Sequence, residues 1–171
     1  MAGNLVVLAG LPGSGKSTIA REIARVAGAV WVRIDSIEQA IRDAGMGSIT
    51  DAGYRAGYAI AEDNLRLGRD VIADSVNPLM LTRDARRALG ERAGARVLEV
   101  EVVCSDTVEH RRQIEQRQGE VPGLQLPDWN AVQTRDYHSW NRERLVLDTA
   151  SVDIYTSADI IVSTLAEKRL V

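Results

Sequence analysis

Residues 10–18 read Gly10-Leu-Pro-Gly13-Ser-Gly15-Lys16-Ser17-Thr18. This stretch fits the pattern G-x-x-x-x-G-K-[ST] of a phosphate-binding loop. Glycines let such a loop turn tightly and point several backbone N–H groups at phosphate oxygens. The lysine adds a mobile positive charge for the β- and γ-phosphates, and the next hydroxyl can coordinate Mg²⁺. The stretch therefore predicts a nucleoside triphosphate bound with Mg²⁺. The expected nucleotide contacts are Gly10, Gly13, Ser14, Gly15, Lys16, Ser17 and Thr18.

The flanks of this loop supply the context that the motif requires. Leu5-Val-Val-Leu-Ala9 is typical of a buried strand. Apolar residues such as Ile19 and Ile23 then recur at helical spacing until Gly28. The bound anion would lie at a helix N-terminus, where free N–H groups favour negative charge. A glycine-rich turn without a ligand is the alternative, and the flanking strand and helix argue against it.

Length and composition limit the kind of protein. A chain of 171 residues is about the size of one domain, so we expect a single domain over 1–171. One cysteine excludes an internal disulfide, and the net charge of −3 is spread along the chain. No apolar run reaches the length of a membrane span, and the N-terminus lacks the layout of a secretory signal. We expect a cytoplasmic monomer without a nucleic-acid surface.

Strands and helices alternate along the chain. Predicted strands cover residues 5–9, 30–34, 71–74, 96–103 and 145–148. Predicted helices cover residues 17–27, 36–44, 51–67, 79–92, 106–117 and 157–170, the last capped by Thr156. Glycines and prolines make residues 118–128 a loop. The alternation predicts a three-layer α/β/α P-loop NTPase fold with a mainly parallel five-stranded sheet.

Two carboxylates follow predicted strands, at the edge where open parallel sheets bind ligands. These are Asp35 and Asp74. Asp74 could hold Mg²⁺ through water, orient Ser17 or bind substrate, and the plainer alternative is a helix cap. A GTPase would carry an N-K-x-D motif, which neither lysine, Lys16 nor Lys168, can supply. Small size and a solitary acid after the third strand favour a small kinase.

With these residues the chain resembles the small P-loop kinases that include polynucleotide kinase, zeta toxin, chloramphenicol phosphotransferase and gluconate kinase. The resemblance spans residues 5–117 and rests on residues 10–18, Val32-Arg33-Ile34-Asp35, Ala73-Asp74-Ser75-Val76-Asn77 and the arginines before the loop at 118–128. Residues 121–149 resemble bacterial proteins known as AAA family ATPases or kinase-like proteins.

The resemblance implies roles for particular residues. Asp35 would be the general base that accepts the proton of the attacking hydroxyl, although it could instead cap the next helix. Residues 105–128 would form a lid-like helix and loop. Arg117 would close over the γ-phosphate, with Arg111 or Arg112 as a further nucleotide contact. Lys16, Asp35 and Arg117 are thus the expected catalytic residues, and Ser17 and Asp74 the expected metal ligands.

These features predict an ATP- and Mg²⁺-dependent kinase that phosphorylates a hydroxyl of a small molecule. Relatives that act on polynucleotide ends often have an arginine three residues after the general base, where this chain has Glu38. That carboxylate would repel a phosphorylated acceptor and could accept hydrogen bonds from hydroxyl or amino groups, and a solvated helix face explains it equally well. The alternatives are a kinase for a sugar nucleotide or a nucleic-acid end, and a nucleotide-binding switch or ATPase without an acceptor.

Other side chains carry weaker expectations. His110 has no metal-ligand partner at suitable spacing and is expected at the surface. Arg83 and Arg86 could face the cleft or solvent. Trp129, Tyr137 and Trp140 are expected in one helix opened by Asp128, either as core or as an acceptor pocket.

Overall fold

The computed structural model describes residues 2–46 and 51–167. The strands are β1 (Asn4–Ala9), β2 (Val30–Arg33), β3 (Val71–Asp74), β4 (Arg96–Val103) and β5 (Leu145–Asp148). The helices are α1 (Lys16–Ala27), α2 (Ile34–Asp43), α3 (Ala52–Arg66), α4 (Met80–Arg92), α5 (Thr107–Gln116), α6 (Trp129–Gln133) and α7 (Ile154–Glu167). None of the described helices is long and apolar enough to span a membrane.

The five strands form one sheet in the order β2-β3-β1-β4-β5. Every pairing in it is parallel, which confirms the predicted fold. Because the strands are parallel, all their carboxyl ends meet at one edge of the sheet. β1 lies at the centre, so the loop that follows it occupies the middle of that edge.

Helices cover both faces of the sheet because the central strand is apolar on both sides. Val6 and Leu8 pack with α1 and α7 on one face. Leu5 and Val7 pack with α3 and α4 on the other. Each of these four β1 side chains is at most 2% exposed, as expected for a strand buried on both faces. The rigid centre of the sheet therefore supports the loop at 10–15.

Two predicted helices differ from the structure. The helix expected from Asp128 to Trp140 is wrong, since α6 ends at Gln133 and residues 134–144 contain neither helix nor strand. The cap predicted at Thr156 is also wrong. α7 begins three residues earlier than expected, and the carboxylate of Asp153 accepts the N–H groups of Tyr155 and Thr156. The predicted end of α7 at residue 170 lies outside the described residues, as does Lys168.

Buried carboxylates on β4 explain why residues 134–144, here called the strap, do not continue the helix. Glu99 and Glu101 are 6% and 7% exposed and lie on the face that β4 shares with α4. Arg142 of the strap donates through Nε to Glu99 Oε2 at 2.7 Å. Arg144 donates in the same way to Glu101 at 2.8 Å, and the Tyr137 hydroxyl donates to Glu101 at 3.1 Å. A helix could not bring all three donors to β4.

Replacing Glu99 by Gln should weaken the attachment of the strap. The amide cannot reproduce the paired, charge-assisted bonds from Arg142, so the free energy of unfolding should fall by about 2 kcal/mol. Urea denaturation would measure the change. Glu143→Gln is the matched control, because Glu143 is an exposed strap residue, and it should alter stability by less than about 0.5 kcal/mol. Equal stabilities for the two variants would contradict this account of the strap.

Candidate active site

The loop at 10–15 connects β1 to α1 and can be built only with glycine at key positions. Gly10 has φ of 149°, and a Cβ there would lie 2.2 Å from the Val102 carbonyl oxygen. Gly15 precedes α1 in the left-handed conformation, with φ of 93°. These values place the backbone where side-chain-bearing residues are strained. The loop thus brings its backbone close to β4 and ends at the N-terminus of α1.

Lys16 is the first residue of α1 and is only 7% exposed. Burial lowers the pKa of its ammonium group, while the nearby carboxylates of Asp74 and Asp35 act in the opposite direction. The charges of Arg117 and Arg33 lower the pKa of Lys16 further. The fold therefore brings Asp35, Asp74 and Arg117, which the sequence singles out, within electrostatic range of Lys16.

A cleft of 320 Å³ lies over the N-terminus of α1. It is lined by Gly13, Gly15, Lys16, Ser17, Thr18, Arg33, Arg112, Gln113, Gln116, Arg117, Gln118 and Glu120. Backbone N–H groups and several cations meet here, which is the chemistry that a polyphosphate requires. Five of the seven nucleotide contacts expected from the motif line this cleft, and we call it the phosphate cleft.

Asp74 ends β3 next to the phosphate loop and is 2% exposed. Its Oδ2 accepts the indole N–H of Trp31 at 3.2 Å. Its Oδ1 is buried and has no hydrogen-bond partner among the residues that the structure describes. The helix-cap alternative is wrong, because Leu79 occupies the cap position of α4. An unpaired carboxylate oxygen in this place fits a water molecule bound to Mg²⁺.

The donor set around the phosphate loop suits Mg²⁺. The Ser17 hydroxyl and the Asp74 carboxylate are hard oxygen ligands, and Mg²⁺ usually keeps several waters and takes phosphate oxygens as well. Within residues 2–46 and 51–167, three or more His, Cys, Asp or Glu side chains nowhere converge as a metal-binding group.

A second cavity, of 260 Å³, adjoins the phosphate loop on the side of α2 and α3. Asp35, Glu38, Tyr54 and Ser75 line it, together with Lys16 and Arg117, which line the phosphate cleft as well. The remaining wall comes from Pro12, Ile34, Val76, Pro78, Leu124, Gln125, Leu126, Pro127 and Arg135. We call it the acceptor cavity. The two spaces meet at Lys16 and Arg117.

Two carboxylates face the acceptor cavity from α2. Asp35 lies within the first turn of the helix, and Arg33 occupies the cap position, so Asp35 does not cap α2. Glu38 follows three residues later on the same helix face. Burial raises the pKa of Glu38; Arg42 opposes that shift and Asp35 adds to it. Burial also raises the pKa of Tyr54, which keeps its hydroxyl available as a donor.

The arginines near the end of α5 occupy different places. Arg117 directly follows α5 and lines both spaces. Arg112 lines the phosphate cleft while its guanidinium contacts Glu109 at 2.6 Å. Arg111 instead donates to Glu115 at 2.7 Å and lines an outer groove beside Trp129. Arg112, rather than Arg111, therefore stands next to the phosphate loop in this structure.

The sequence led us to expect His110 at the surface, and this prediction is wrong. It is 7% exposed, its Nε2 lies 2.8 Å from the carbonyl oxygen of Pro12, and its ring meets Trp129 edge-on. The missed signal is its spacing from Ile114, one helical turn away and also buried. This spacing marks the face of α5 that packs on the phosphate loop.

Arg83 and Arg86 are buried, so the solvent alternative is wrong for both. Arg83 is 1% exposed and its guanidinium lies 4.2 Å from the ring centre of Trp140. Arg86 is fully buried and lies 4.9 Å from the ring centre of Tyr58. Neither lines the acceptor cavity. Stacking on aromatic rings compensates part of their desolvation and fixes α3 and the strap against α4.

Comparison with solved structures identifies proteins that share this fold. An APS kinase of Mycobacterium tuberculosis, solved with AMPPNP and APS, matches with a TM-score of 0.70 at 21% identity, over 96% of this chain and 98% of that one. A gluconokinase of Sinorhizobium meliloti matches with a TM-score of 0.67 at 22% identity, over 99% and 96%. Chaetomium thermophilum Kti12, solved with ADP-AlF3, matches with a TM-score of 0.66 at 21% identity, over 93% and 97%. At these identities the likeness establishes the fold.

A search of curated protein sequences finds no match. Comparison with protein families does find a match. The AAA_33 family, described as an AAA domain, matches residues 5–135, which include the phosphate loop, both carboxylates and α5. The match covers well over half of the chain. This protein therefore belongs to the AAA_33 family and has the fold of the small P-loop kinases.

Proposed function

We propose that the protein is an ATP- and Mg²⁺-dependent kinase that transfers the γ-phosphoryl group to a hydroxyl of a small molecule. The observation that carries this proposal is the meeting of the phosphate cleft and the acceptor cavity at Lys16 and Arg117. A phosphoryl group passing between two substrates requires such a shared point, with positive charge around it. Nucleotide binding alone does not require the second cavity.

In this proposal the phosphate loop holds the triphosphate. Backbone N–H groups from Gly13 to Lys16 would face its oxygens, and the Lys16 ammonium group would contact the β- and γ-phosphates. Mg²⁺, when bound by Ser17 and through water by Asp74, would neutralise phosphate charge. Arg112 would contribute to the nucleotide side from α5. The Arg111 assignment stays a prediction, which its position in the outer groove does not favour.

Asp35 would act as the general base. The acceptor oxygen attacks the γ-phosphorus and forms a new O–P bond, the bond from that phosphorus to the β,γ-bridging oxygen breaks, and ADP leaves. The hydroxyl proton passes to the Asp35 carboxylate. Lys16 and Arg117 would stabilise the charge on the transferring group. Asp35 suits this role because it faces the acceptor cavity from a helix that it does not cap.

Residues 105–128 would serve as a lid that excludes water during transfer. In the structure, Glu120 of this segment contacts Arg33 at 2.9 Å and Arg21 at 3.2 Å. Both pairs are partly exposed, and such pairs contribute about 1 kcal/mol or less. Contacts this weak at Glu120 could break for nucleotide exchange, while buried His110 and Ile114 keep α5 on the phosphate loop.

Glu38 limits the kind of acceptor. A half-buried carboxyl group beside Asp35 would oppose an acceptor with a phosphate near its reacting hydroxyl. It would accept hydrogen bonds from hydroxyl or amino groups. The gluconokinase that shares this fold is named for a small hydroxylated compound, which agrees with the size of the acceptor cavity. We therefore favour an unphosphorylated, hydroxyl-bearing small molecule over a sugar nucleotide or a nucleic-acid end.

The deciding experiment measures ADP production from MgATP across hydroxylated metabolites, nucleosides, antibiotics and oligonucleotides. Stimulation by one class of acceptor would support the kinase and identify its substrate. Turnover that remains slow and indifferent to every acceptor, together with tight ATP binding, would favour the nucleotide-binding switch. Stimulation by oligonucleotide ends would contradict the role given to Glu38.

Asp35→Asn should separate chemistry from nucleotide binding. Loss of the general base should reduce acceptor-dependent ADP production by about 100-fold or more. The Kd for MgATP should stay within about twofold, because the variant keeps the size of the side chain. Asp159→Asn, at an exposed position on α7, is the control and should retain full turnover. Full activity of Asp35→Asn would refute the base assignment.

Glu38→Gln should relax the exclusion of phosphorylated acceptors. Removing the negative charge should raise kcat/KM for the monophosphate of a confirmed acceptor by about tenfold relative to the acceptor itself. Steady-state kinetics with the two compounds would measure the ratio. Glu115→Gln changes charge equally but lies on the outer side of α5, so it should leave the ratio unchanged. Identical shifts in both variants would indicate a general charge effect.

Affinity for MgATP should fall as pH rises, beginning below the ordinary lysine pKa of 10.5, because burial lowers the pKa of Lys16. Above that lowered pKa the free protein holds a neutral amine, which must take up a proton when phosphate binds. Calorimetry between about pH 7 and about pH 10 would detect this as weaker binding and proton uptake. In Lys16→Arg the guanidinium stays charged, so this pH dependence should disappear. Its persistence would exclude Lys16 as the source.

A further inference from the structure

The hydrogen bond between α5 and the phosphate loop has a defined donor and a defined acceptor. His110 Nε2 lies 2.8 Å from the carbonyl oxygen of Pro12. A carbonyl oxygen only accepts hydrogen bonds, so the hydrogen must be on Nε2 and His110 is the donor. The ring is held in place by Trp129, whose ring centre lies 5.3 Å away at an interplanar angle of 83°. A buried side chain thus donates directly to the backbone of the loop.

This bond also orients the next N–H group. Pro12 C=O and Gly13 N–H belong to the same peptide unit, and no described peptide bond is cis. In a trans peptide the C=O and N–H groups point in opposite directions. His110 holds the Pro12 oxygen toward α5, and therefore directs the Gly13 N–H away from α5. Gly13 lines the phosphate cleft.

Close packing allows α5 to approach the loop at this point. Gly13 has φ of 80°, and a Cβ on it would lie 2.6 Å from Ile114 Cδ1 and 3.3 Å from His110 Cδ2. A second carbonyl of the loop is also held, since the Thr149 hydroxyl donates to the Ser14 oxygen at 2.9 Å. The loop is therefore fixed by side chains from outside, in addition to its own bond from the Ser14 N–H to the Leu11 oxygen at 3.2 Å.

We infer that His110 is a positioning residue for nucleotide binding: by holding the Pro12 carbonyl it sets the direction of the Gly13 N–H and couples the phosphate loop to α5. The inference rests on the proposed nucleotide site. It adds a link between the loop and the proposed lid, because α5 carries His110 at one end and is followed by Arg117 at the other. The bound geometry of the loop then depends on where α5 lies.

The test is the Kd for MgATP, measured by calorimetry on the full chain. His110→Ala should raise the Kd by about tenfold, the scale of one lost hydrogen bond. His110→Gln restores a side-chain N–H donor of similar reach and should bring the Kd to within about threefold of the original. His138→Ala is the matched control, because it removes the only other histidine, which is exposed, and should leave the Kd unchanged.

Thermal unfolding without nucleotide separates positioning from packing. Both His110 variants lose the ring contact with Trp129, so both should unfold at a lower temperature. Only the Ala variant should bind MgATP poorly. Equal Kd values for the Ala variant and the original protein would overturn the inference and leave the proposed function intact. Weak MgATP binding by the Ala and Gln variants alike would also overturn the inference and leave the proposed function intact. If the original protein fails to bind MgATP, the proposed function and the inference fall together.

Discussion

The burial of one ammonium group is the constraint on which the site depends. Lys16 begins α1 directly after a left-handed glycine, so its position follows from the backbone of the phosphate loop. Removing a charge from water is costly unless opposite charge lies close by. Asp35 and Asp74 supply that charge from the ends of neighbouring strands. The parallel sheet is what places these ends together, because it directs β1, β2 and β3 to the same edge.

The same requirement shapes the other half of the molecule. Glu99 and Glu101 put negative charge on β4, where a helix would otherwise pack on apolar residues. The strap supplies arginines and a tyrosine to them, and Trp140 of the strap stacks on Arg83 of α4. The charged side chains of β4 are therefore covered by the irregular strap, which carries their donors. The strap also covers the sheet on the side of the phosphate loop, since Tyr137 and Gly10 line one cavity of 250 Å³.

The features that could be predicted from sequence are those that local pattern determines. Gly10 to Thr18 specify their own backbone, and the apolar runs define the strands, so the fold and the carboxylates at the sheet edge follow. The burial of Arg83, Arg86 and His110 could not be predicted in the same way. Whether a guanidinium is buried depends on rings brought from distant elements, and composition alone marks arginine as a surface residue. The spacing of His110 and Ile114 was informative, but α5 carries charge on most of its other positions.

Several polar groups left unpaired in the interior lie at the edge of the sheet where the site is. Among the described residues, buried side-chain atoms without a hydrogen-bond partner include Ser14 Oγ, Asp74 Oδ1 and the Asn77 amide. Asn77 also has φ of 50°, an uncommon conformation for a residue with a side chain. Each unpaired group destabilises a folded chain by about 1–3 kcal/mol unless water or a ligand satisfies it. A fold selected for stability alone would avoid such groups. Their position is explained if this edge is organised for bound phosphate, Mg²⁺ and water, at some loss of stability in the free protein.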